Sequence, residues 1–172
     1  MQTKLWLGFC FFAAALVLGC SPKPAELVEL KRFPIDSLES VITRSDLSFD
    51  SAVSSDGGGS LRVAVSQPTV IRLFEVEVRD VEAARLIYRA KLRTQHVQGQ
   101  AFIEMWCRFP GKGEFFSRAL NSPLTGTNEW TTQETPFVLQ KGEKPDLVKL
   151  NLVINGSGTV WIDDVVLLRA GL

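Results

Sequence analysis

The chain has 172 residues, 45% hydrophobic and 22% charged, with 19 Lys plus Arg balanced by 19 Asp plus Glu. That length suits one domain with a full core, and the even charge leaves no general basic field for nucleic acid or anionic lipid. The single histidine, His96, excludes poly-histidine metal sites and leaves one base for any Ser-His-Asp chemistry.

In chain order, the first element is the run MQTKLWLGFCFFAAALVLG, residues 1–19. One cation, Lys4, precedes an apolar stretch from Leu5 to Leu18 and the small residue Gly19. This is the order of a secretory signal, and the stretch is short for a bilayer span. Val17-Leu18-Gly19-Cys20 resembles the lipobox of bacterial lipoproteins, although Leu18 stands where a small residue is usual. The resemblance implies cleavage before Cys20 and acylation of Cys20, so that lipid chains anchor the protein to a membrane of the bacterial envelope. Each buried methylene contributes about 0.8 kcal/mol, and two or three chains hold durably where one does not. Ser21 stands where an aspartate would favour inner-membrane retention, which points to the outer membrane. The alternatives are an ordinary signal peptide cut elsewhere and an uncleaved anchor.

Residues 20–26, with Ser-Pro-Lys-Pro after Cys20, read as the lipidated cysteine and its tether, and residues 27–172 as a single domain. Loss of residues 1–19 removes Lys4 and Cys10, leaving 18 Lys plus Arg against 19 Asp plus Glu, a formal balance of −1. With Cys20 acylated, Cys107 has no disulfide partner and is expected in the core.

Leu27 to Phe33 reads as a short strand or docking segment, Asp36 to Ser48 has no assignable pattern, and SSDGGGS (Ser54–Ser60) is a turn. No Lys-Ser/Thr follows Gly59, so a P-loop fails. From Ser60 the dominant period is two. Leu61, Val63 and Val65 form one apolar parity, as do Leu86, Tyr88, Ala90 and Leu92; so do Ala101, Ile103, Met105, Cys107 and Phe109, and Val148, Leu150, Leu152 and Ile154. Such alternation marks strands with one buried face. Turn-rich segments lie between them at Pro110–Gly113, Ser122–Asn128 and Lys141–Asp146, with TQHVQG as a loop carrying His96, and Val81–Arg89 is the one tract with any helical character. Short strands without a βαβ rhythm predict an all-β antiparallel sandwich or jelly roll. Near the C-terminus Val160 and Ile162 have one parity and Val165 and Leu167 the other, so a β-bulge is expected at Asp163-Asp164.

The runs YRAKLRTQHVQGQAFIEMWCRF, NSPLTGTNEWTTQETPFVL and LVKLNLVINGSGTVWIDDVVL resemble the galactose-binding-domain-like jelly roll of bacterial carbohydrate-binding modules. The likeness covers roughly Ser60 to Leu168 and specifies fold better than ligand. It implies that the last-strand carboxylates Asp163 and Asp164 help hold a structural calcium, with Asp50, Asp56 and the Gly57 and Gly58 carbonyls as partners. The alternative is a solvated aspartate pair flanking a bulge.

The polar parity of the two central strands gathers Arg85, Arg89, Lys91 and Arg93 with Glu104, Trp106 and Arg108. Sharing a sheet, they would present one aromatic ring amid donors and acceptors, a face suited to sugar C–H patches and hydroxyls. Trp106, Arg108, Glu104, Arg89 and Lys91 are therefore the candidate ligand-binding residues, unless Trp106 packs under a loop. Trp130 reads as packing, and Phe115-Phe116 as one ring inward and one outward. No motif places an activated nucleophile, so a non-catalytic binding module for glycan or cell-wall polysaccharide is expected, with no nucleic-acid partner. The rival reading is an envelope scaffold that binds another protein through an outward aromatic.

Overall fold

The structure is a computed structural model that describes residues 26–172. The signal sequence, Cys20 and all but the last residue of the tether lie outside the described residues. The order is β1 (Val28–Phe33), β2 (Leu47–Asp50), β3 (Ser60–Val65), β4 (Thr69–Glu77), β5 (Ala84–Phe109), β6 (Gly113–Arg118), β7 (Leu124–Leu139) and β8 (Leu147–Gly171), with no helix among the described residues.

Two strands dominate, β5 with 26 residues and β8 with 25. At about 3.3 Å per residue a straight strand of that length would span roughly 85 Å, whereas a domain of this size is only about 40 Å across. They therefore bend together while staying paired. At the bend Gln95 faces Thr159 and Gln98 faces Ser157, so β5 carries one extra residue, and His96 there has a left-handed backbone at φ 52°. Directly after it Gly99 faces Gly156. A Cβ at Gly156 would lie 1.8 Å from the Gln98 carbonyl oxygen, and one at Gly99 2.1 Å from that of Asn155. Only glycine allows the two backbones this close.

The bend folds one hydrogen-bonded sheet into a sandwich. In one layer the first half of β5 pairs with β7 and with the second half of β8, whose far edge carries β3 and β1 end to end and then β2. In the other layer the second half of β5 pairs with β6 and with the first half of β8, which pairs with β4. Leu86, Tyr88, Ala90, Leu92, Ile103, Met105, Cys107, Leu150, Leu152 and Ile154 are all buried in one core. Burial pushes the Cys107 thiol up to about 12, so it is a packing group rather than a reactive one.

Tyr88 is the largest fully buried side chain, and its hydroxyl has no hydrogen-bond partner among the described residues. Burial alone drives its phenol pKa upward. A buried hydroxyl without a partner bears its desolvation cost uncompensated. Tyr88→Phe is therefore expected to raise stability by about 1 kcal/mol in a denaturant titration. A loss of that size would mean the hydroxyl has a partner.

The expected bulge at Asp163-Asp164 is present: Lys91 faces Asp163 and Arg89 faces Val166, leaving one extra residue in β8, with Asp164 left-handed at φ 49°. It returns Val165 and Leu167 to the core beside Val160 and Ile162. Three expectations are corrected. Residues 84–89 are strand, because their apolar period is two. TQHVQG is a bulged stretch within one continuous strand, not a loop. Leu124–Asn128, read as loop, is already part of β7.

Candidate functional site

On the layer built from β4, β8, β5 and β6, the outward side chains meet in rows set by strand register. Arg72 faces Asn151, Asn151 faces Glu104, and Glu104 faces Arg118. One row further, Lys149 faces Trp106, and Trp106 faces Phe116. Apart from Phe116, the residues of these rows line a shallow cleft of about 430 Å³, with Val70, Val153 and Glu114 completing the lining.

Glu104 organises the cleft. Its side chain is only 4% exposed. One carboxylate oxygen accepts from the Trp106 indole Nε1 at 2.6 Å and the Asn151 amide at 3.1 Å, and the other from Arg118 Nε at 2.5 Å. Three donors on one buried carboxylate compensate its lost hydration. They also fix the ring edge of Trp106, so its orientation is set before any ligand arrives. Phe116 packs against Trp106, centroids 4.9 Å apart and tilted by 47°, and the Arg118 guanidinium lies 4.3 Å from the Phe116 ring centre. Lys149 pairs with Glu114 at 2.6 Å and Arg72 with Glu75 at 3.0 Å.

Of the five candidate residues, Glu104 and Trp106 come together here and three do not. Arg108 is exposed one row beyond and bonds Asp146 through two nitrogens at 2.9 and 3.0 Å. Arg89 and Lys91 lie on the other layer, paired with Glu134 at 2.5 Å and Asp164 at 3.6 Å. The expected single face is corrected, because the bend in β5 places its two halves in opposite layers. Asn151 and Lys149 were legible in the alternation of β8, whereas Arg118 and Arg72 sit on strands whose pattern gave no such signal. Phe115 and Phe116 point to opposite sides of β6 as expected, Phe115 beside the core residues Cys107 and Phe109 and Phe116 against Trp106, but both stay about half exposed, at 52% and 51%, because β6 is an edge strand.

No three of the four aspartates expected to hold calcium gather at one point. Asp163, 2% exposed, accepts the backbone N–H of Ser55 and of Asp164, both at 2.8 Å. Asp164 pairs with Arg32 and Lys91. Asp50 is held below the usual carboxylate range by the Trp161 indole and by the backbone N–H groups of Ala52 and Val53. Asp56 is held down by the Gly58 N–H and the Ser54 hydroxyl. Calcium needs six to eight free oxygens, whereas these carboxylates face N–H groups, a hydroxyl and cations. Among the described residues no three acidic, His or Cys groups gather to hold a metal. The donor set does not fit calcium; it ties the 51–59 loop to the last strand instead.

No protein-family model matches the chain, and no curated protein matches it. Solved structures do. A xylan-binding domain described as a family 22 carbohydrate-binding module superposes with a TM-score of 0.60 at 10% identity, covering 84% of this chain and 96% of that one. The family 22 xylan-binding domain from Paenibacillus barcinonensis gives 0.60 at 9% identity, covering 88% and 99%. The C-terminal family 22 module of a Clostridium thermocellum protein gives 0.58 at 11%, covering 83% and 95%. The fold is the jelly-roll β-sandwich of such modules. At these identities the likeness establishes fold alone.

Proposed function

We propose that this protein is a non-catalytic glycan-binding module, anchored to the bacterial envelope through lipid on Cys20, that takes a polysaccharide in the Trp106 cleft. The observation that carries the reading is the indole of Trp106, locked by Glu104 within a polar row on an open sheet face. Sugar rings stack on such an aromatic while their hydroxyls reach neighbouring amides and charged groups. The superposed modules are described as xylan-binding, which makes xylan oligomers the first probes.

The test is calorimetric titration of the full chain, in a non-glycosidic detergent, with an oligosaccharide panel that includes xylohexaose. Saturable binding is expected, weakened at least tenfold in Trp106→Ala. Binding that survives Trp106→Ala would place the site elsewhere. For the anchor, Cys20→Ser is expected to release the protein from membranes; retention after that change would refute lipidation.

A protein contact has one supporting observation. Phe109, Phe115 and Phe137 line an apolar pocket of about 220 Å³ at the end of the sandwich, with Phe115 half exposed. A panel without any sugar response would favour that reading.

A further inference from the structure

The three cations of the Trp106 cleft spend only part of their donor capacity on the protein. Arg118 gives Nε to Glu104 at 2.5 Å, Arg72 gives one terminal nitrogen to Glu75 at 3.0 Å, and Lys149 gives one bond to Glu114 at 2.6 Å. A guanidinium carries five N–H donors and an ammonium three. Most of that capacity stays free among the described residues, on a face open to solvent.

The acceptors show the reverse. Both oxygens of Glu104 are engaged, by three donors in all, and its side chain is buried. The acceptors with capacity left are one oxygen each of Glu114 and Glu75, the latter turned to Arg72 outside the cleft lining, and the Asn151 carbonyl. A neutral sugar hydroxyl both donates and accepts, so it gains most from a mixed face; an ionised acid only accepts. Guanidinium forks match a carboxylate or phosphate in shape as well as charge.

We propose that the cleft selects an acidic glycan, whose carboxylate or phosphate is held by Arg72, Arg118 and Lys149 while its sugar ring rests on Trp106. This rests on the glycan reading of the same cleft. Because Glu75, Glu104 and Glu114 balance the three cations, selection comes from the aimed donors rather than from a net field.

The experiment titrates the full chain, in a non-glycosidic detergent, with tri-galacturonic acid, its methyl ester, neutral galactotriose and a phosphorylated galactotriose. The methyl ester keeps the chain and removes the charge. Acid should bind at least tenfold tighter than ester, with the ratio shrinking between about 20 and 300 mM salt as the pairing is screened. The ratio should also fall toward one in Arg72→Gln and in Lys149→Gln. Whether uronate or phosphate binds tighter identifies the source of the acid group. Equal binding of acid and ester would overturn the acidic preference while leaving the glycan reading intact, and so would a preference unchanged in both variants. Failure of these probes and of every neutral oligosaccharide would overturn the glycan reading itself.

Discussion

Gly156→Ala is expected to destabilise the protein by about 3 kcal/mol or more, lowering the denaturant midpoint at unchanged slope. The added Cβ would sit 1.8 Å from the Gln98 carbonyl oxygen and 2.8 Å from its carbon. Both are backbone atoms, so no flexible side chain can move aside. The φ of 152° adds a further penalty, since an L-residue rarely adopts it. Relief would require β5 and β8 to separate at the bend, which loosens the pairing of both layers there. Gly171→Ala is the control: nothing lies within 4 Å of its Cβ, and a change within about 0.5 kcal/mol is expected. A Gly156→Ala midpoint equal to that of wild type would show that the backbones do not approach this closely.

Glu104→Ala is expected to lower stability by about 2 kcal/mol and to weaken saccharide binding by more than tenfold. The substitution strips Trp106 Nε1, the Asn151 amide and Arg118 of their common acceptor. The loss stays below that of a fully buried ion pair, because the Arg118 side chain is 37% exposed and can rehydrate. Glu104→Gln should fall between: its carbonyl can still receive the indole, but its amide meets Arg118 donor to donor. Thermal unfolding and sugar titration of both variants check this. Full binding in Glu104→Ala would mean that the orientation of Trp106 does not depend on the carboxylate.

Much of this was legible in the sequence because a strand with one buried face must alternate. Leu86 to Leu92, Ala101 to Cys107 and Val148 to Ile154 all face the core as their parity requires. The parity switch after Ile162 was enough to locate the bulge. Glu104 and Trp106, two apart on one strand, had to share a face. The inward parity of β5 does switch, from even positions up to Leu92 to odd positions from Ala101, but a switch alone does not distinguish a loop between two paired strands from a bend between layers, so the sequence pattern puts Arg89 and Lys91 with Trp106 although β5 carries them to the opposite layer. The strand β4 is not legible in the sequence, because an extra residue at Leu73, between Arg72 and Phe74, breaks its period. The aspartates are a different case. A carboxylate satisfied by local N–H groups has the same sequence signature as one that ligates a metal, and only the backbone course through Ser54–Gly58 separates them.

The most direct measurement is a ¹⁵N spectrum of the indole N–H groups during titration with a glycan bound by the full chain. Trp106 donates its N–H to Glu104 in the cleft, whereas Trp161 donates to Asp50 on the other layer and Trp130 lies on β7. Binding in the cleft should move the Trp106 signal saturably and leave those of Trp130 and Trp161 in place. A saturating ligand that moves only Trp130 or Trp161, or no indole signal at all, would contradict recognition through the Trp106 cleft.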